Sequence, residues 1–145
     1  SIITYSCNNF GPNQHKEKFI PTIINSCISK KNIPIYGNGK NIRQWIFVQD
    51  NVKYIHKLVL PNTNEYFKYC IGSKIELTNV DLVKMICDRF SNISPKKYNY
   101  RKLMKFVEDR KGHDIRYFMK SNHPLKNFKY QSFNESLSST IEYYK

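Results

Sequence analysis

Three short stretches hold side chains whose types and spacing could do chemistry. Asn8 and Asn9 end an apolar, β-branched run and lead into Phe10-Gly11-Pro12. Two adjacent carboxamides at the C-terminal end of a strand can hold polar ligand groups; the alternative is an Asn-rich turn in an Asn-rich chain. Arg43 stands beside Gln44 and the only tryptophan, Trp45. Its guanidinium suits either a diphosphate, gripped by two parallel hydrogen bonds, or a surface ion pair. Asp109-Arg110-Lys111-Gly112-His113-Asp114 gathers five charged or titratable side chains around a glycine. Arg110 and Lys111 suit a diphosphate there and His113 a hydroxyl or phosphate oxygen, the alternative being a solvated loop.

Other chemical signatures are missing from the 145 residues. No Gly-x-Gly-x-x-Gly follows a strand, and no Walker loop occurs. Gly37-Asn38-Gly39 lacks a third glycine and reads as a turn between strands. Tyr36 to Lys40 and Tyr98 to Lys102 repeat the Tyr-x-x-x-Lys spacing of short-chain dehydrogenases, which works only on one face of a helix. The first spans a turn and the second a polar loop, so both read as chance. Cys7, Cys27, Cys70 and Cys87 form no Cys-x-x-Cys pair and have no His at zinc spacing. They read as reduced, buried thiols of a cytoplasmic protein, and no metal is expected.

The elements that must position these residues follow from periodicity. Ile2 to Cys7 reads as a strand that stops in a loop at Asn8-Asn9-Phe10-Gly11-Pro12. Lys18 to Lys30 reads as a helix, with Phe19, Ile20, Ile23, Ile24, Cys27 and Ile28 at helical spacing and Pro21 tolerated in its first turn. Ile33 to Tyr36 and Ile42 to Val48 read as the strands of a hairpin. Asp50 is expected to cap a helix reaching about Leu60, with Val52, Ile55, His56 and Val59 on one face. Tyr66 to Ile71 reads as a strand. Thr78 should cap a helix carrying Val80, Val83, Met85, Ile86 and Phe90. Ser91 to Arg101 reads as a loop, Lys105 to Glu108 as a short strand, Asp109 to Asp114 as a loop and Arg116 to Met119 as a strand. A short helix after Ser121 and a last helix from Asn134 to Tyr144 complete a mixed α/β order.

Composition sets the frame. The formal net charge is +13, from 24 Lys plus Arg against 11 Asp plus Glu. That balance invites a nucleic-acid reading. Yet the 19 Lys outnumber the 5 Arg and lie along the whole chain, and Lys, Asn and Ile are abundant while Ala is absent. Lys, Asn and Ile share A/T-rich codons, so compositional drift explains most of the charge. Leu, Ile, Val and Phe make up 39 residues, enough for a folded core. No apolar run suits a membrane-spanning helix, and no signal peptide opens the chain. With Ser1 in place of a starting Met, a fragment or a processed product is expected.

Taken in order, Asn8-Asn9-Phe10-Gly11-Pro12, Glu17-Lys18-Phe19-Ile20-Pro21, Pro34-Ile35-Tyr36-Gly37, Arg43-Gln44-Trp45, Asp109-Arg110-Lys111-Gly112-His113-Asp114 and Arg116-Tyr117 resemble the nucleotide-sugar 4,6-dehydratases. These lyases are extended short-chain dehydrogenases/reductases. The final Thr140-Ile141-Glu142-Tyr143-Tyr144 is similar to that family's last helix. The resemblance covers essentially the whole chain and matches the C-terminal half of a family member. It implies an α/β fold, the end of a Rossmann sheet plus a small substrate-binding subdomain, as a single partial unit over residues 1–145.

The resemblance also implies roles. Asn8, Lys18, Phe19, Arg43 and Asn79 would contact a dTDP- or UDP-glucose-type substrate, with Arg43 on the diphosphate. Pro34, Ile35 and Tyr36 would line the nucleobase pocket, and Asp109, Arg110, Lys111, Gly112 and His113 would complete the nucleotide site. Asn9 would contact NAD. The family usually has Pro at Lys111, Asp at Gln44, Asn at Cys70 and Asp at Lys120, and a Gly-Trp is lost near Asn127-Phe128. The family reaction oxidises the sugar at C4 with NAD, eliminates water across C5 and C6, and returns the hydride to C6. The glycine-rich NAD loop and the proton-transfer residues lie upstream of the matching region. The isolated chain is therefore expected to hold no catalytic residue and to be inactive, its partner a missing N-terminal half or a second copy. The alternative function is a basic nucleic-acid-binding module, stacking bases on its aromatic residues.

Overall fold

The computed structural model describes residues 1–60, 67–94, 96–122, 125 and 128–145. In chain order they form β1 (Ile2–Ser6), β2 (Asn8–Phe10), α1 (Phe19–Ser29), β3 (Ile33–Tyr36), β4 (Ile42–Phe47), α2 (Val48–Val59), β5 (Phe67–Ile71), β6 (Ile75–Thr78), α3 (Asn79–Ile93), a 3-10 turn (Tyr100–Leu103), β7 (Met104–Val107), β8 (Arg116–Tyr117) and α4 (Phe133–Tyr144).

The first β-branched run divides between two sheets. β1 pairs in parallel with β5, and β2 pairs in parallel with β4, setting Asn8 opposite Trp45. Cys7 is the bend between them, and its N–H donates to the Ile71 carbonyl at 3.0 Å. The backbone therefore changes sheets without leaving a polar group unpaired. Asn8–Phe10 is strand, not the expected loop. β4 is the hub: it also pairs antiparallel with β6 and in parallel with β8. β3 pairs in parallel with β7.

Residues 33–48 are thus not a hairpin. The Gly37–Gly39 turn is present, with Gly39 N–H donating to the Tyr36 carbonyl at 3.1 Å, but β3 and β4 take partners that lie far along the chain. The backbone pairs of β7 and β8 outweigh the local turn.

α1 is amphipathic as its spacing requires, burying Ile20, Pro21, Ile23, Ile24 and Cys27. It ends at Lys30 in the left-handed region, where the Lys30 and Lys31 N–H groups close onto the Cys27 and Ser26 carbonyls. Thr78 caps α3 as expected, its hydroxyl accepting from Asp81 N–H at 3.1 Å. α3 buries Leu82, Val83, Ile86, Cys87 and Phe90 against α1 and α4 in the larger core cluster. A smaller cluster gathers Cys7, Ile46, Tyr54, Leu58 and Ile71.

Several boundaries differ from expectation. α2 begins at Val48, so Asp50 lies within its first turn, buried, and accepts from Gln131 N–H at 2.9 Å. Its buried face is Asp50, Asn51, Tyr54 and Leu58, while Val52 and Val59 are exposed. Of the expected face Ile55 alone packs inward, against the smaller cluster, because Tyr54 and the polar pair have specific partners inside. β6 is an additional strand, and the helix and the 3-10 turn occupy much of the expected 91–101 loop. β8 stops at Tyr117 instead of Met119. Tyr66 lies outside the described residues, as do parts of the segment after Ser121 where a short helix was expected.

Candidate functional site

One cleft of about 780 Å³ collects most of the candidate side chains. β2 brings Asn8 and Asn9 to it, the head of α1 brings Lys18 and Phe19, and β3 brings Pro34 and Tyr36. β4 adds Arg43 and Trp45, α3 adds Asn79 from its first position, and the segment joining β7 to β8 adds Arg110 and His113. Strand alternation gives β3 its half-buried Pro34 and Tyr36 between the buried Ile33 and Ile35, and Ile33 lines the cleft as well. Residues 43 and 45 share a face of β4 for the same reason. Trp45 stacks on Phe19 with ring centroids 6.3 Å apart, which ties the head of α1 to the sheet.

The segment 108–115 runs like a strap from the β3 edge to the β4 edge. Gly37 N–H donates to the Val107 carbonyl at one end, and Ile42 N–H to the Ile115 carbonyl at the other. The Asp114 carbonyl accepts from Asn41 Nδ2 at 3.1 Å and from an Arg43 guanidinium nitrogen at 2.9 Å. Arg43 is thereby pre-oriented, its other terminal nitrogen donating to the Ile42 carbonyl at 2.8 Å. Arg110 lies over the Tyr36 ring, 4.0 Å from its centroid. His113 Nδ1 meets Asp109 Oδ1 at 2.7 Å. The His113 contact, followed by the Arg110 N–H, holds the Asp109 carboxyl below the usual carboxylate range.

The two asparagines have different duties. Asn9 is spent on structure: its Oδ1 accepts from Asn51 Nδ2 at 2.9 Å and its Nδ2 donates to the Cys7 carbonyl at 3.0 Å. Ser6 donates in turn to Asn51 Oδ1. This chain of bonds fixes the bend between β1 and β2. Gln44, where a family member usually has Asp, is likewise buried and joins Ser73 to Met119.

The cleft is therefore walled by stacked aromatic rings and by three cations, Lys18, Arg43 and Arg110, with Glu17 as the carboxylate at its lining. Such a surface fits an anionic ligand with a planar group. Of the expected residues, Ile35 is buried in the core and does not line the cleft, and Asp109, Lys111 and Gly112 stand outside its lining. Trp45, Gln14, Thr22 and Ile23 are lining residues not singled out beforehand. The two-residue spacing from Arg43 was the available signal for Trp45.

The cysteines stand apart from this chemistry. Burial pushes the Cys7 thiol up to about 11, and Cys27 and Cys87 are buried side by side in the larger core cluster. Among the described residues no cluster of His, Cys, Asp and Glu could hold a metal ion, and no helix is long and apolar enough to cross a membrane.

Comparison with known proteins places this geometry. Residues 1–72 match the model of the NAD dependent epimerase/dehydratase family. The chain is 40% identical over 150 residues to a dTDP-glucose 4,6-dehydratase of Haemophilus influenzae, covering 99% of this chain and 44% of that protein. It is 36% identical to the dTDP-glucose 4,6-dehydratase of Neisseria gonorrhoeae, again over 99% of this chain and 43% of the relative. A dTDP-glucose 4,6-dehydratase of Streptomyces venezuelae, solved with NAD bound, superposes with a TM-score of 0.84 at 32% identity, over 99% of this chain and 43% of that one. The chain spans less than half the length of the relatives it matches and corresponds to their C-terminal part. Its α/β, Rossmann-like fold is the fold of that part.

Proposed function

We propose that this chain, similar along its length to the C-terminal part of the nucleotide-sugar 4,6-dehydratases, supplies the wall that holds the sugar nucleotide in such an enzyme. Residues 1–145 then act as one partial unit. The observation that carries the reading is the convergence of Asn8, Lys18, Tyr36, Arg43, Asn79 and His113, from six separate segments, on one cationic, aromatic cleft. In this reading Tyr36 stacks on the base of a dTDP- or UDP-sugar, Arg43 and Lys18 neutralise the diphosphate, and Asn8 and Asn79 hold polar groups of the substrate. Phe19 and Trp45 exclude water from one side.

When bound in the whole enzyme, NAD supplies the hydride chemistry at C4 and C6 of the sugar. Asn9, the residue this reading turns toward it, keeps one amide hydrogen and one oxygen lone pair beyond its bonds to the Cys7 carbonyl and Asn51 Nδ2. A nucleotide-binding half that brings the NAD loop and the proton-transfer residues is the partner this reading requires. Four free cysteines suit a reducing, cytoplasmic compartment.

Calorimetric titration of the 145-residue chain with dTDP-glucose tests the reading. Saturable binding is expected, with no 4-keto-6-deoxy sugar formed when NAD is added. No heat and no NMR shift at millimolar nucleotide would overturn it, and turnover by this chain alone would overturn its assignment as the binding part.

A further inference from the structure

Asp109 does not line the cleft, yet it is the most heavily engaged carboxylate of the strap. Its Oδ1 accepts from Arg110 N–H at 2.9 Å and meets His113 Nδ1 at 2.7 Å. An ionised carboxylate only accepts, so the hydrogen in the second contact sits on Nδ1. The His113 side chain is 17% exposed while Asp109 is 46% exposed. The ring is therefore sunk into the cleft wall with its carboxylate partner behind it.

The backbone is built for this pair. Gly112 lies at φ +72° and closes a turn in which His113 N–H donates to the Arg110 carbonyl at 3.1 Å, bringing residues 109 and 113 together. On the facing turn, Gly37 lies at φ +56°, and a Cβ there would sit 2.7 Å from Asp109 Oδ2. The absence of a side chain at Gly37 leaves the space the carboxylate occupies.

We propose that Asp109 is a positioning residue, whose carboxylate fixes the tautomer and direction of His113 so that Nε2 meets the diphosphate of a nucleotide in the cleft. This rests on the binding reading given above and reassigns Asp109, expected from the resemblance to touch the nucleotide. With Nδ1–H committed to Asp109, Nε2 is an acceptor on the neutral ring and a donor on the protonated one. Diphosphate oxygens only accept, so the contact at Nε2 is made by a ring carrying hydrogen on both nitrogens, one held by Asp109 and one turned to the ligand. Asp109 meets the ring directly, and the charged groups that share the cleft with it are Arg110 on the strap, Arg43 on β4, and Lys18 and Glu17 at the head of α1. Tyr36 on β3 and Asn79 on α3 line the same cleft. The nearest carboxylate of α3, Asp81, is held by Thr78 and Lys84.

Two measurements on the full chain decide the matter. Nitrogen-15 NMR of the imidazole should show the Nδ1–H tautomer in the free chain, its loss in Asp109→Ala, and its retention in Asp109→Asn, whose amide oxygen still accepts. Calorimetry with dTDP reads the affinity of the chain and its variants. Asp109→Ala and His113→Gln should each weaken dTDP binding about tenfold, and the double variant no further. An unchanged tautomer in Asp109→Ala, or additive losses in the double variant, would overturn the proposal. Failure of dTDP to bind at all overturns the functional reading, while the tautomer experiment still decides whether Asp109 positions His113.

Discussion

At the cleft, β4 has backbone partners along both sides, and its inward side chains join α1, α3 and α4 in the larger core cluster. At the opposite end, among the described residues, β1 leans on β5 alone and α2 covers the smaller cluster. Ile3 and Tyr5 on β1 are 38% and 48% exposed, and Val52 on α2 is 60% exposed. The side chains that need exact placement thus gather around β4, the described strand that pairs with three others. Parallel strands are ordinarily covered on both faces and paired on both edges, and β1 meets neither condition here. The lesson is that within one short chain the binding geometry and the edge of the fold are supported unequally, and the two ends should fail separately.

The largest test of that contrast removes core volume at each end. Leu82→Ala, in the cluster behind the cleft, should cost roughly 3 kcal/mol of unfolding free energy, read by denaturant titration. Leu58→Ala in the smaller cluster should cost less, since fewer elements close around it, and Val52→Ala on the open face should stay within about 0.5 kcal/mol. Equal losses at Leu82 and Leu58 would erase the proposed difference in support.

A second test separates binding from support. Arg43→Ala removes a side chain whose hydrogen bonds go to two backbone carbonyls, Asp114 on the strap and Ile42 on its own strand. It should weaken dTDP-glucose binding tenfold or more, about 1.4 kcal/mol, while shifting the unfolding midpoint little. A large loss of stability with unchanged affinity would make Arg43 a strut of the strap and not a ligand contact.

A third, smaller effect concerns the capped entry to α3, which presents Asn79 to the cleft. Thr78→Ala should cost about 1 kcal/mol. The same substitution should weaken nucleotide binding, since fraying of the first turn displaces Asn79. A chain that loses stability but keeps full affinity would show that Asn79 is not held by the cap.

How much of this was legible beforehand follows the range of the interactions. α1 and α4 were read within a residue of their ends and α3 at its start, because their apolar spacing and the Thr78 cap act within a few positions, while α3 runs three residues into the expected loop. The cleft residues were legible through the ordered motifs, not through spacing: nothing local says that Arg43 and Arg110, far apart in the chain, share one wall. The hairpin reading of 33–48 failed because β3 is paired by β7 and β4 by β2, β6 and β8, contacts that no turn signal encodes. The α2 face failed because a polar set, Asp50, Asn51 and Tyr54, is the buried one. Its partners, Gln131, Asn9 and Leu125, come from other segments. Hydrogen bonds formed at a distance overrode the apolar count on that helix.

The smallest expected effect lies behind the cleft, where Asp88 on α3 meets Arg101 of the 3-10 turn through two bonds of 2.6 Å. The guanidinium holds the Asp88 carboxyl below its ordinary value of 3.8. A carboxylate depressed in the folded state stabilises the fold above its unfolded value, and the gain is lost as pH falls through the lower, folded one. The pair is about half exposed, with side-chain exposures of 50% and 45%, so solvent screens it and the gain at neutral pH should be small. Thermal melts of the chain and of Asp88→Asn should therefore differ slightly at pH 7 and converge as the pH falls through the depressed folded value of Asp88, with most of the difference also removed by molar salt. A gap that persisted at low pH would mean that Asp88 acts through the packing of α3 against the turn rather than through its charge. The cleft end would then owe its rigidity to packing alone.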